Sequence, residues 1–286
     1  MSPSPRRPSL VALAFPPFLL ACNGKTVDDT AVADLTADPG FVLVGPTSFD
    51  MGCTQSQQPD CTDDGDETLH AVTLSTTYEI AATEVTQAQF LTAMGDNPAS
   101  FADCGDDCPV ENITWHEAAA YANALSDSAG LDECYVCHAS GSAANCTAPA
   151  DVTTCTGFRL PTEAEWEGAA RCNTDDLYAG SMTSSDVAWT VENSGGTTQT
   201  TATLAANGCG LYDMSGNVWE WVEDWYGDYG SDSVTDPVGP DSGSGRVLRG
   251  GDWSAVAIDA RVSHRVYNDP TRANGNLGFR VARTLY

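Results

Sequence analysis

A single α+β domain over residues 41–286 is what this sequence predicts, and three observations carry the expectation. Three segments open with the same helix-start signal. Several short runs rich in β-branched residues read as strands. After Cys172 the chain turns to Gly, Asn, Ser and Thr with short apolar runs, so much of it must be irregular loop. No internal repeat and no second linker divides the chain. Hydrophobic residues make up 42% of the 286, enough for a buried core.

Each element has a local reason. "FVLVG" at 41–45 and "AVTLSTTYEIAATEV" at 71–85 show the β-branched content and partial alternation of strands. Thr86 opens "TQAQFLTAMG" with Gln89 three residues on. Thr114 opens a longer segment with Glu117 three on, closing at Gly130, and Thr162 opens "TEAEWEGAARC" with Glu165 three on. In such a capping box the Thr hydroxyl accepts from the N3 amide and the Glu or Gln side chain reaches back to the cap amide. Trp115, Ala118, Ala119, Ala122 and Leu125 share one face of the middle helix. "RVLRGG" at 246–251 and "GFRVAR" at 278–283 read as strands. Long loops in a compact domain need staples: disulfides, buried aromatics or ions.

Charge narrows the function. The chain has 40 acids and 12 bases, a formal charge of −28. That excludes nucleic acid as a partner, because phosphate contacts need cationic surface. No Lys or Arg lies between Thr26 and Phe158. Acids in that stretch face water, bind cations, or take arginines from the C-terminal half, and solvation is the default.

The first 21 residues read as an export signal, with Arg6 and Arg7 before the apolar run "LVALAFPPFLLAC". That run is too short to span a bilayer. Leu19-Leu20-Ala21-Cys22 resembles a bacterial lipobox, which implies acylation of Cys22 and a place in the periplasm, outer membrane or cell surface. An ordinary secretory signal is the alternative. Residues 22–40 are small and polar, a tether. Export makes disulfides the default for the ten remaining cysteines. Close spacing points to Cys53–Cys61, Cys104–Cys108, Cys134–Cys137 and Cys146–Cys155, leaving Cys172 for Cys209. A nested pair, Cys134–Cys155 around Cys137–Cys146, is equally open, and the same quartet reads less well as a zinc site.

The words "EVTQAQF" (84–90), "PVENITWHEAAAYANAL" (109–125), "GFRLPTEAEWEGAAR" (157–171), "NGCGLYDMSGNVWEWVEDWY" (207–226), "RVLRGGDW" (246–253) and "NLGFRVAR" (276–283) occur in this order. Together they resemble the formylglycine-generating-enzyme, or sulfatase-modifying-factor, family. The resemblance implies a variant of the C-type-lectin fold with little regular secondary structure. It also implies a reaction, oxidation of a sulfatase cysteine to formylglycine, carried by two copper-binding cysteines shortly after the "RGG" word. Thiolates suit Cu(I) because both are soft. Here the matching stretch, 249–265, has no cysteine, and none follows Cys209. The copper site is therefore expected to be lost. His264 is the stretch's only histidine and reads as structural. Arg249, Arg261, Arg265 and Arg280 are expected to pair with core acids such as Glu163, Glu165, Glu220 or Asp224 rather than to line an anion pocket.

The family also carries calcium. By resemblance one site uses Asp213, Gly216, Val218 and Glu220, with backbone carbonyls completing an oxygen shell. The bland alternative gives Glu220 to an arginine. An upstream family site, nearest to Asn193-Ser194, departs from the pattern. The sequence thus favours a non-catalytic binding or scaffold module on the cell envelope, with a protein or glycan ligand and a lipid anchor in the membrane. A formylglycine-generating oxidase is the alternative.

Overall fold

The computed structural model describes residues 37, 40–58, 61, 66–139 and 144–286. Cys22 and the expected signal and lipobox lie outside the described residues, as does nearly all of the tether. Among the described residues no helix is long and apolar enough to cross a membrane.

The three expected helices start where their capping boxes lie, and a four-residue helix, Ser184–Val187, forms without one. Helix α1 spans Gln87–Met94, α2 Trp115–Ala129 and α3 Glu163–Arg171, and each has both reciprocal bonds of the box. Helices α1 and α2 end at Gly95 and Gly130 in the left-handed conformation. The apolar face of α2 is buried as its spacing requires: Trp115, Ala118, Ala119 and Ala122 are inaccessible, and Leu125 packs at the margin.

The strands form small sheets. In one, Phe41–Val44, Thr77–Ala81, Ala282–Leu285 and Phe158–Arg159 lie side by side, all antiparallel. The last strand of the chain thus sits between two that come much earlier, which closes the domain. In the second sheet the order is Arg265–Asn268, Arg246–Arg249, Trp219–Trp225 and Leu277–Phe279, with the last pair parallel. A three-stranded sheet joins Thr47–Met51, His70–Leu74 and Val234–Thr235. The expected strand over 71–85 is two strands, broken at Ser75-Thr76, and "GFRVAR" likewise splits between two sheets. One core cluster gathers around Trp115, Trp221 and Phe279, another around Tyr78, Trp166 and Val247.

All ten cysteines of the domain are in disulfides. Cys53–Cys61, Cys104–Cys108 and Cys172–Cys209 pair as spacing suggests. Cys134 joins Cys155 and Cys137 joins Cys146, so the nested arrangement replaces the neighbour pairing. The reason is a hairpin, Val136–His138 against Asn145–Thr147, whose register sets Cys137 directly opposite Cys146. With every thiol oxidised, the quartet has no thiolate for zinc.

The Cys172–Cys209 bridge closes 37 residues of mostly irregular chain. Replacing both cysteines by serine is expected to lower stability by about 3–4 kcal/mol through loop-closure entropy. Denaturant midpoints of the variant and the parent protein measure this.

Candidate functional site

The segment "GLYDMSGNVWEW" is a backbone knot. Asp213, Gly216 and Asn217 all have positive φ, at 56°, 79° and 63°. A Cβ on Gly216 would lie 2.3 Å from the carbonyl oxygen of Trp189, so only glycine fits there. Asn207 ties the knot to the end of α3. Its Oδ1 accepts from the amides of Cys209 and Leu211, and its Nδ2 donates to the carbonyls of Ala169 and Ala170. Trp221 is fully buried and donates from Nε1 to the carbonyl of Ile113 at 2.9 Å.

Glu220, on the strand that leaves the knot, accepts two bonds from Arg280, each 2.7 Å, and a third of 2.7 Å from Trp166 Nε1. Arg280 is inaccessible and spends its other N–H groups on the carbonyls of Ala81 and Tyr212. Two further carboxyls crowd this pair. Asp213 Oδ2 accepts from the Ala202 amide at 2.7 Å, while its Oδ1 has no partner. Glu84 Oε2 accepts from Asn217 Nδ2 at 3.1 Å, and its Oε1 has none. Burial pushes the Asp213 carboxyl up to about 6. Burial, together with the charges of Asp213 and Glu220, pushes Glu84 well above the usual carboxylate range. One guanidinium faces three buried acids. Glu84 was missed as a site residue, although it opens the quoted word "EVTQAQF" and lies in the base-free stretch.

At 249–265 the arginines are spent on internal acids. Arg249 is inaccessible and bonds to Glu167 and to the carbonyls of Val262 and Ser263. Arg265 holds Glu163 through two bonds of 2.8 and 2.7 Å. Arg261 holds Glu67 through two bonds of 3.0 Å, and His264 Nδ1 lies 3.4 Å from the same carboxylate. Burial alone would raise Glu67, but hydrogen bonds from His264, Arg261 and Ser263 hold it far below the ordinary range. Two expected partners differ. Glu165 takes Arg159 instead of a late arginine, and Asp224 accepts the Glu163 amide at 2.6 Å.

The turn after Gly250-Gly251 is held by Asp252. Its Oδ1 accepts from the Ser254 amide and hydroxyl at 2.6 Å each and from the Ala255 amide at 3.1 Å, and its Oδ2 accepts from Asn276. Trp253 donates to the Gly275 carbonyl and meets Phe101 edge-on at 5.1 Å. Asn193 and Ser194 spend their side chains locally, on the 188–190 turn and on the Trp253 carbonyl. Among the described residues no three His, Cys, Asp or Glu side chains are grouped to hold a metal.

A disulfide-stapled α+β domain, lectin-like in architecture and framed by buried arginine–carboxylate pairs, is the class these features define. The chain belongs to the sulfatase-modifying factor family: the family model, described as a sulfatase-modifying factor enzyme 1-like domain, matches residues 28–285. It is 32% identical over 241 residues to the chaperone protein LppX of Paenibacillus barcinonensis, covering 74% of this chain and 82% of that one. It is 36% identical over 195 residues to the formylglycine-generating enzyme of Streptomyces coelicolor, covering 61% of this chain and only 52% of that enzyme. The solved structure of Treponema denticola variable protein 1 matches with a TM-score of 0.74 and 35% identity, covering 86% of this chain and 95% of that one.

One buried acid makes the frame sensitive to pH. Glu223 accepts from the Tyr135 hydroxyl at 2.8 Å and lies 3.6 Å from Arg246, whose guanidinium is stacked between Trp115 and Trp225. Burial still raises its carboxyl from 4.5 to about 7. A raised folded value means its contribution is complete below about 4.5 and is lost as pH climbs through 7. Between pH 4 and 8, wild type is expected to lose on the order of 3 kcal/mol relative to Glu223→Gln. Urea titrations of both proteins across that range check it.

Proposed function

We propose that this chain is an exported, lipid-anchored binding or scaffold module that has left the family's oxidative chemistry. The observation behind this is the 249–265 segment. Where the resemblance calls for two copper thiolates, there is a turn pinned by Asp252, and the surrounding arginines are committed to internal acids. Five disulfides fit folding in an oxidising compartment. A binding role also accords with the chaperone name of LppX. The second reading, a formylglycine-generating oxidase, draws on the 36% identity to the Streptomyces enzyme.

A sulfatase-motif peptide incubated with the protein, oxygen and copper separates the two. The peptide cysteine is expected to stay unmodified by mass spectrometry. Conversion of that cysteine to formylglycine would establish the oxidase and end the non-catalytic reading.

Calcium belongs to the same proposal, at Asp213 and Glu220 with the carbonyls of Gly216 and Val218. Supporting it are the unpartnered Asp213 Oδ1 and the surplus of buried acid around Arg280. Glu220 already serves Arg280, so the fit rests chiefly on Asp213, with Glu84 adding charge. A divalent hard cation bound there would offset that charge and stiffen the knot. Chelation is expected to lower the melting temperature, and Asp213→Asn to abolish the difference. An unchanged melt together with no calcium in metal analysis would remove the ion from this reading.

A further inference from the structure

A cavity of about 500 Å³ opens between the turn at 100–104 and the segment 197–200. Ser100, Phe101, Asp103, Thr197, Thr198 and Thr200 are among the residues that line it. Its size falls in the ~300–1,000 Å³ range of small-molecule sites.

Both walls are built before any ligand arrives. The Cys104–Cys108 disulfide anchors one rim. The Phe101 amide is held by the buried Glu111 at 2.7 Å. On the other wall, Gln199 is gripped through its backbone by Asn217, whose Oδ1 accepts from its amide and whose Nδ2 donates to its carbonyl. Thr201 then crosses to the first wall, donating from its amide to the Asp107 carbonyl at 3.0 Å. A site preorganised in this way loses little entropy when a ligand binds.

The lining chemistry selects the ligand. One wall comes from the stretch between Thr26 and Phe158, the other from the stretch between Arg171 and Arg246, and neither stretch contains Lys or Arg. Asp103 is the only ionisable group lining the cavity. Phosphates, sulfates and acidic peptides therefore find no cation to meet them. The cavity is lined by serine and threonine side chains, by one aromatic ring and by Gln199, whose Nε2 donates to the carbonyls of Ser194 and Thr197. Thr198 is 1% exposed, and its Oγ1 has no partner in the protein. Phe101 is half-buried and backed by Trp253. Hydroxyls matched to hydroxyls, with a ring to cover C–H groups, recognise a neutral sugar.

We propose that this cavity binds a neutral saccharide two or three units long. The assignment rests on the reading of the chain as a binding module and gives that module its ligand class.

Saturation-transfer NMR on the purified full chain tests it with maltotriose and chitotriose. An anionic heparin-derived disaccharide and a sulfatase-motif peptide are the comparison ligands. At least one neutral trisaccharide is expected to bind, and the anionic disaccharide to stay silent. Thr198→Val is expected to weaken the sugar at least fivefold. Ala102→Trp, at an exposed position on the rim, is expected to block it with the melting temperature unchanged. Silence from both trisaccharides overturns the proposal. So does sugar binding that survives Ala102→Trp, or a signal from the peptide or the anionic disaccharide alone. Silent sugars with an unoxidised peptide remove only the ligand. An oxidised peptide removes the module reading, whatever the sugars do.

Discussion

Buried arginine–carboxylate pairing is the constraint on which this structure depends. Arg159, Arg249, Arg261 and Arg280 are among the largest fully buried side chains of the protein. Each is held by a glutamate: Glu165, Glu167, Glu67 and Glu220 respectively. Such pairs add little net stability over apolar packing, because desolvation offsets the attraction. Leaving one partner alone costs about 3–5 kcal/mol, so they act by penalising every other arrangement. That penalty is severe in a chain that has acids and no bases from Thr26 to Phe158. Glu67 and Glu79 lie far from any base in sequence and pair with Arg261 and Arg283 from the C-terminal segment. The default expectation, that acids of this stretch face water, fails for these two and for Glu84 and Glu111.

The pairs also explain how sheets so short are specified. Glu79 stands opposite its partner Arg283 in the register of the first sheet; in the second, Glu220 and Arg249 stand opposite each other and reach Arg280 and Glu167 respectively. A slip by one residue would move each charge to the other face of its strand. Strands of two to seven residues have few ladder bonds with which to fix register. Charged pairs, five disulfides and indole N–H groups bonded to carbonyls supply what the ladders lack.

What was legible in the sequence was local. Capping boxes are written within four residues, and the three helices that carry one obey it. The arginines after Gly250 were correctly expected to meet internal acids, since their number and setting matched a loop-rich half in need of ties. Long-range order was not legible. Nothing in "GFRVAR" says that Ala282–Leu285 inserts between Thr77–Ala81 and Phe158–Arg159. The nested disulfides needed the hairpin at 136–147, whose strands are only three residues each. Glu84 went unnoticed because its role comes from Asp213, Asn217 and Glu220, more than a hundred residues away.

This division of labour separates the core from the turns attached to it. Glu163, Glu165, Glu167 and Glu220 and their arginines hold the frame from inside. The turn at 252–255 is capped by Asp252, whose bonds are to its own turn and to Asn276, and is tied further by Ser194, Gly275, Asn217 and Val191. No arginine that holds the core is bonded to it in this structure. The proposed loss of the copper thiols therefore falls on a turn that carries none of the buried pairs. The cavity walls at 100–104 and 197–200 are tied by a disulfide, by Glu111 and by Asn217, which also bonds Glu84 beside Arg280. A frame fixed by buried charge, carrying separately tied turns, is compatible with relatives named as formylglycine-generating enzyme and as chaperone.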